Sequence, residues 1–351
     1  MRLRRAGRLI VLTGVMLVLG AGPVLACGGL VAPNGSINLV RTTTLAAYED
    51  GIEHYVTSFE FTGGGGGKFG SIVPLPDVPS KVSKAGRWTL QRLVQEIQPP
   101  VLQEATFAGD AAVAARSAEV LLETRVSALD ITVLKGGGDE VGLWAKRNGF
   151  SLPPDAPEVL DFYGERSPIF MAVRFNLERA ENRDLGVGDG IPVHVTIPTD
   201  QPWVPLRILA LGRQANEIIE ADVFTLTESR PAMLPVAGWP GAAEGMSLER
   251  SEPASDLLLT DLRRDRGMGW LPANGMWLNY IRINSPAGEV THDLALNVTG
   301  GSPSLVDAGL EAPASTATVA DDPALVWPWL LAAIVAFGVL SITGKLTSHR
   351  R

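Results

Sequence analysis

Two regimes of hydrophobic and polar positions divide the chain. From about residue 38 to 298, short runs rich in β-branched and aromatic residues alternate with turn residues. Leu325 to Thr343 (LVWPWLLAAIVAFGVLSIT) is instead apolar throughout, with no charged side chain between Asp322 and Lys345. About twenty helical residues at ~1.5 Å rise match the ~30 Å hydrocarbon layer of a bilayer and satisfy their own backbone hydrogen bonds there. The run predicts a transmembrane helix over 324–344, with Trp327 and Trp329 at the headgroup level of its start. Lys345, His349, Arg350 and Arg351 follow its end, and positive charge marks the cytoplasmic side.

Within the body, Asn38–Tyr48 and Ile52–Thr62 read as strands joined at Glu49-Asp50-Gly51, because Asp-Gly supplies the positive φ of a tight hairpin. Phe69–Val73 predicts a third strand, with a proline-punctuated exit from Pro74 to Pro79. Helical spacing of Trp88, Leu90, Leu93, Val94 and Ile97 predicts a helix stopped by Pro99-Pro100. Further helices are predicted over alanine-rich Ala111–Leu122, over Gly142–Asn148 before Gly149, and around Pro157–Tyr163. Strands are predicted at Leu129–Leu134, Ile169–Leu177, Ile191–Ile197, Leu206–Leu211 and Ile218–Thr227. After turn-rich Pro231–Gly245, an N-capped helix over Ser255–Arg264 precedes a last strand pair, Trp277–Ile283 with Leu294–Val298. Strands with interspersed helices argue for an α+β fold of mostly antiparallel sheet, plus the one C-terminal transmembrane helix.

The front of the chain has the layout of a secretory signal peptide over 1–26: basic Arg2, Arg4, Arg5 and Arg8, apolar Leu9–Leu19, then small residues to Ala26. Both ends agree on a cell-membrane, single-pass type I topology with the body outside the cytoplasm. That body spans 27–298, as one domain or as two with a boundary near 180–190. Gly, Ser, Pro, Ala, Thr and Asp dominate 299–323, which reads as a flexible stalk, and 345–351 is a cytoplasmic tail too short to fold. The single cysteine, Cys27, cannot form an internal disulfide, and its place after Val24-Leu25-Ala26 makes it a candidate for lipidation.

Several blocks in order carry a family resemblance. They are Ala26-Cys27-Gly28-Gly29, Ser71–Pro79 (SIVPLPDVP), Asp130–Leu134 (DITVL), Leu143–Phe150 (LWAKRNGF), Phe170–Phe175 (FMAVRF) and Val195–Arg207 (VTIPTDQPWVPLR). Together, over roughly 26–228, they resemble the bacterial domain-of-unknown-function family 2330. The resemblance implies an exported protein, often with a C-terminal span, and assigns no catalytic residue.

Charge narrows the function classes. Seven of the 30 Lys and Arg lie in the leader and tail, while all 38 Asp and Glu lie between them, so the exported part is net −15. Such a surface repels nucleic acid, and no DNA or RNA partner is expected. Gly63–Lys68 lacks both the leading Gly and the following hydroxyl of a phosphate-binding P-loop, so no cofactor is expected. Three exported histidines are far apart in sequence. His194 alternates with Val193 and Val195, which points it to the polar face of a strand as a solvated residue. His54 shares a face with Val56 and Ser58, and His292 lies beside Asp293. No spacing predicts a metal site. The acids Glu158 with Asp161, and Asp261 with Asp265, read as exposed helix residues; Trp203, Trp239, Trp270 and Trp277 read as packing residues.

These readings converge on an extracytoplasmic binding or envelope-organising module, held by the bilayer and meeting an envelope or protein partner, rather than an enzyme. The alternative is an envelope hydrolase whose site is assembled from His54 or from His292 and Asp293 with nearby acids. The two differ in whether a histidine meets a carboxylate in a cleft.

Overall fold

The computed structural model describes residues 29–31, 42–60, 70–97, 120–183, 185, 190–235 and 245–313. In chain order the strands are β1 (Gly29–Val31), β2 (Thr42–Glu49), β3 (Ile52–Glu60), β4 (Gly70–Pro74), β5 (Lys81–Lys84), β6 (Val120–Val126), β7 (Leu129–Lys135), β8 (Ile169–Phe175), β9 (Gly190–Pro198), β10 (Trp203–Val204), β11 (Ile218–Thr227), β12 (Ala232–Leu234), β13 (Met246–Pro253), β14 (Trp277–Pro286) and β15 (Leu294–Asn297). The helices are α1 (Trp88–Ile97), α2 (Gly138–Arg147), α3 (Ala156–Gly164), α4 (Leu177–Glu181) and α5 (Asp256–Arg264). Mostly sheet with few helices, this is the expected α+β class.

The strands form three sheets: a seven-stranded one in the order β13-β14-β11-β2-β3-β9-β5, a five-stranded one, β1-β4-β8-β7-β6, and a small one, β10-β15-β12. Among the described residues every strand pair is antiparallel except β11 with β2. Strand periodicity explains how the sheets stack, since alternate residues point to opposite faces. On β2, Ala46 faces one core while Leu45 and Ala47 face another. The first core joins the seven-stranded sheet (Tyr55, Val195, Val223, Ile281) to the five-stranded sheet (Val73, Ile131, Met171) and the small one (Val204, Leu294, Leu296). The second places α1 (Leu90, Leu93) and α5 (Leu258, Leu259, Leu262) on the outer face of the seven-stranded sheet. A third sets α2 and α3 (Val141, Trp144, Val159, Leu160, Tyr163) against Ile72, Phe170 and Ala172. The result is helix, sheet, sheets, helix, and each fully buried Leu, Ile, Val or Phe contributes roughly 1.5–3 kcal/mol relative to exposure.

The local signals that rest on backbone chemistry match their elements. Asp50 and Gly51 adopt φ of 49° and 76° in the hairpin between β2 and β3, and Gly149, at φ 81°, closes the chain after α2. Ser255 caps α5 by accepting from the Leu258 N–H. α1 covers Trp88–Ile97, the span its apolar spacing predicts.

Elements that depend on distant partners differ from expectation. Val120–Leu122, the end of the predicted alanine-rich helix, opens β6 and pairs with β7; the rest of that segment lies outside the described residues. The predicted strand over Leu206–Leu211 is a 3-10 turn, Arg207–Ala210, because the Leu206 and Arg207 N–H groups donate to the Asp293 carboxylate instead of to a ladder. Residues Trp277–Ile283 and Leu294–Val298 are strands but not partners: β14 lies in the seven-stranded sheet and β15 in the small one. Edge strand β13, polar along much of its length, had no hydrophobic signal. The residues from Thr299 that composition predicts as stalk stay on the body as far as Glu311, where Ala308 is buried and its carbonyl accepts from the Asp293 N–H. The segment 314–323 lies outside the described residues, as do the predicted signal peptide and Leu325–Thr343. No helix among the described residues is long and apolar enough to cross a membrane.

Candidate functional site

His54 stands on β3 and His194 on the adjacent strand β9, and their register brings the two rings together: Val56 pairs with His194 and His54 with Thr196. His54 Nδ1 lies 2.9 Å from His194 Nε2, so one imidazole donates and the other accepts. Trp270 stacks on His54 with ring centroids 3.5 Å apart and planes 5° from parallel. The expected solvated His194 is therefore a correction. It is 5 % exposed, because the face it shares with Val56 is not open to water but covered by the α1 and α5 layer and the segment carrying Trp270. Alternation identifies which residues share a face; it cannot tell what covers that face.

Burial, with a smaller push from His194, depresses the His54 pKa to about 3. Burial, then the Lys81 ammonium, depresses that of His194 to about 4. Both rings are neutral at neutral pH, and a base this weak is far from the near-neutral pKa that suits acid–base work.

Asp293 is fully buried at the start of β15. Its Oδ1 accepts from the Tyr163 hydroxyl at 2.8 Å and from the backbone N–H groups of Leu206 at 2.7 Å and Arg207 at 3.1 Å. Its Oδ2 accepts from the Arg166 guanidinium at 2.8 Å. Arg166 also lies over the rings of Phe162, Trp203 and Tyr163. One carboxylate thereby ties α3, the 3-10 turn and β15 into a unit, and the Tyr163 pKa rises through burial and the Asp293 charge. Neighbouring His292 is buried, with Nδ1 3.4 Å from the Thr291 hydroxyl and no hydrogen-bond partner on Nε2. Burial lowers its pKa, and Asp293 offsets part of that.

Glu53, which sequence reasoning passed over, is also fully buried, on the opposite face of β3 from His54. Neither carboxylate oxygen has a hydrogen-bond partner. Burial pushes its pKa up to about 8, and the Trp203 backbone N–H draws it only partly back without reaching normal hydrogen-bond geometry. No pattern in a single strand marks such a residue, since Glu at an alternating position usually faces solvent.

Asp161 is exposed on α3, and most of the other candidates are structurally engaged. Asp265 accepts from the Thr89 N–H at 2.6 Å and hydroxyl at 2.7 Å, Asp261 pairs with Arg92, and Glu158 pairs with Arg207. Trp203 is buried, and Trp277 Nε1 donates to Ser251. Cys27, Trp239 and Gly63–Lys68 lie outside the described residues. Among the described residues no three His, Cys, Asp or Glu side chains converge as a metal-ligand set. His54 meets another histidine rather than a carboxylate, and the Asp293 oxygens are occupied by four donors.

Comparison with known proteins gives one family. Its model, described as an uncharacterized protein conserved in bacteria (DUF2330), matches residues 23–237. Comparison with curated proteins finds no match. Among solved structures, baculovirus P35 is similar at 10 % identity and a TM-score of 0.37, over 74 % of this chain and 96 % of that one. A mutated baculovirus P35 after caspase cleavage gives 10 %, 0.36, 73 % and 99 %; a caspase-8/P35 complex gives 8 %, 0.36, 73 % and 95 %. That likeness is too loose to carry anything across.

Proposed function

This chain belongs to DUF2330, the uncharacterized bacterial family matched over residues 23–237, and from that premise we propose that it is an exported, membrane-anchored binding module rather than an enzyme. The observation that carries the reading is how the ionisable core is used. His54 and His194 hold each other under Trp270, Asp293 fastens three elements, and Glu53 is sealed from solvent. Acid–base and nucleophilic catalysis need such groups turned towards a substrate; here they face inward and stiffen a layered scaffold. Anchoring rests on the sequence alone, on the leader over 1–26 and the apolar run Leu325–Thr343.

Two measurements test the proposal. The full-length protein is expected to stay in vesicles through a carbonate wash, and protease added to intact cells is expected to digest the body but not the last residues. Release by carbonate would end the anchored reading. Against a panel of ester, phosphoester and glycoside substrates no turnover is expected; turnover abolished by His54→Ala would replace the binding module with the hydrolase.

A further inference from the structure

The five-stranded sheet carries a concentration of positive charge at odds with the rest of the domain. Arg125 on β6, Arg174 on β8 and Arg179 on α4 converge on one carboxylate, Asp130 on β7. Arg125 Nε lies 3.2 Å from Oδ1, Arg179 NH2 2.7 Å from Oδ1 and Arg174 NH2 3.0 Å from Oδ2. The cross-strand register, Arg125 with Asp130 and Asp130 with Arg174, places them in one row on the face that α2 and α3 cover further along. Among the described residues Asp130 is the one acid within ion-pair distance of these three guanidiniums, so three positive charges share one carboxylate there, in an exported part that is net −15. Lys146 and Arg147, in the last turn of α2 next to Asn148, are exposed beside the row. The nearest further acids by position in the sequence are Glu123, two residues along β6, and, on α4, exposed Glu178 next to Arg179 and Glu181 two residues on.

The guanidinium contacts beyond Asp130 are poor. Arg174 NH1 reaches Asn148 Oδ1 at 3.4 Å, Arg179 NH2 reaches the Ala128 carbonyl at 3.5 Å, and Arg179 Nε has no hydrogen-bond partner. Guanidiniums present planar, forked donors that suit an oxyanion, and like charges gathered around one carboxylate repel unless a second anion joins them. Arg174, with a side chain 42 % exposed, gives that anion a way in.

We propose that Arg125, Arg174 and Arg179 form an oxyanion-binding site for a phosphate group, with Asp130 as the internal anion that aligns them and competes with the ligand. The inference rests on the binding-module reading and names its ligand chemistry. A phosphate monoester or inorganic phosphate and the phosphodiester of a lipid headgroup share that chemistry.

The test is calorimetric titration of the full-length protein in a nonionic detergent at low salt, with inorganic phosphate and, separately, glycerophosphoglycerol, the diester headgroup without its chains. One saturable site is expected. The double variant R174Q/R179Q should weaken it about tenfold or more, as loss of charge-assisted hydrogen bonds does. Asp130→Asn should strengthen it several-fold, because the competing charge is gone; a purely structural ion-pair cluster gives no such gain. Tighter binding of glycerophosphoglycerol assigns the source to a lipid headgroup, tighter binding of phosphate to a soluble anion, and either supports the site. Absence of saturable binding in both wild type and D130N, or equal affinity of wild type and R174Q/R179Q, overturns it. Should the double variant fail to fold by circular dichroism, R174Q, the most exposed of the three, carries the comparison. Failure here leaves the carbonate and protease results untouched, so the two proposals fall separately.

Discussion

Asp293 and Glu53 are both fully withdrawn from water, yet the protein treats them in opposite ways. Asp293 receives two backbone N–H groups, a phenol and a guanidinium. Glu53 receives no hydrogen bond and responds by holding its proton to about pH 8. A buried carboxylate is tolerated either when enough donors replace its hydration or when it ceases to be charged. The first solution organises structure, since donors from the α3 end and from the 3-10 turn are tied to the strand that carries Asp293. The second leaves a titration that the folded state must bear.

Truncating the satisfied carboxylate should be the most damaging change. Asp293→Ala strands the Arg166 charge, the Tyr163 hydroxyl and two N–H groups in the interior, and a loss of about 3–5 kcal/mol in denaturant or thermal unfolding is expected. A loss near zero would show that the network is ornamental.

Glu53→Gln should move stability the other way, and only where the wild type is charged. With a folded pKa of about 8 and an ordinary carboxyl value unfolded, the unfolded chain releases its proton first. Wild-type stability therefore falls as pH rises from about 4.5 to 8, and the loss is complete above that. The amide cannot ionise, so the variant should be more stable by on the order of 3 kcal/mol at pH 9 and unchanged near pH 4.5. Parallel pH profiles for the two proteins would refute the assignment.

On the other face of β3 the sign reverses. His54 and His194 have pKa values depressed by burial to about 3 and about 4, so the unfolded chain binds protons first as pH falls below about 6.5. Stability contributed by the neutral pair is lost on acidification, by on the order of 2 kcal/mol down to about pH 4. His194→Gln should flatten that limb, as followed by Trp fluorescence melts. A half-exposed carboxylate completes the series: Asp265, which accepts the Thr89 N–H and hydroxyl at the start of α1, should cost about 1 kcal/mol as Asp265→Ala.

Much of the scaffold was legible because it rests on near neighbours in the chain. The Asp50-Gly51 hairpin, the Ser255 cap and the apolar stripe of Trp88–Ile97 each involve residues within a turn or two, and each lies where its pattern predicts. The candidate site was less legible. The sequence marks His292 and Asp293 as candidates for chemistry, but the partners that make Asp293 a structural hub lie about 86 to 130 residues away. Strand alternation alone makes His194 look solvated, because such a pattern carries no information about the layer above it. The 3-10 turn at Arg207–Ala210 and the docking of residues 299–311 escaped for the same reason: both are held by contacts to Asp293 and its neighbours, not by local propensity.

By itself the sequence determined the α+β class, most strand and helix positions and the family, and it supplied the grounds for the proposed leader and span, since periodicity, turn chemistry and apolar run length are local properties of a chain. Tertiary structure alone decided that β3 separates an imidazole pair from an uncompensated carboxyl, that Asp293 ties three elements together, and that three arginines share Asp130. Hydration of a charged group is removed or replaced only by whatever packs against it, and what packs against it is chosen by the fold.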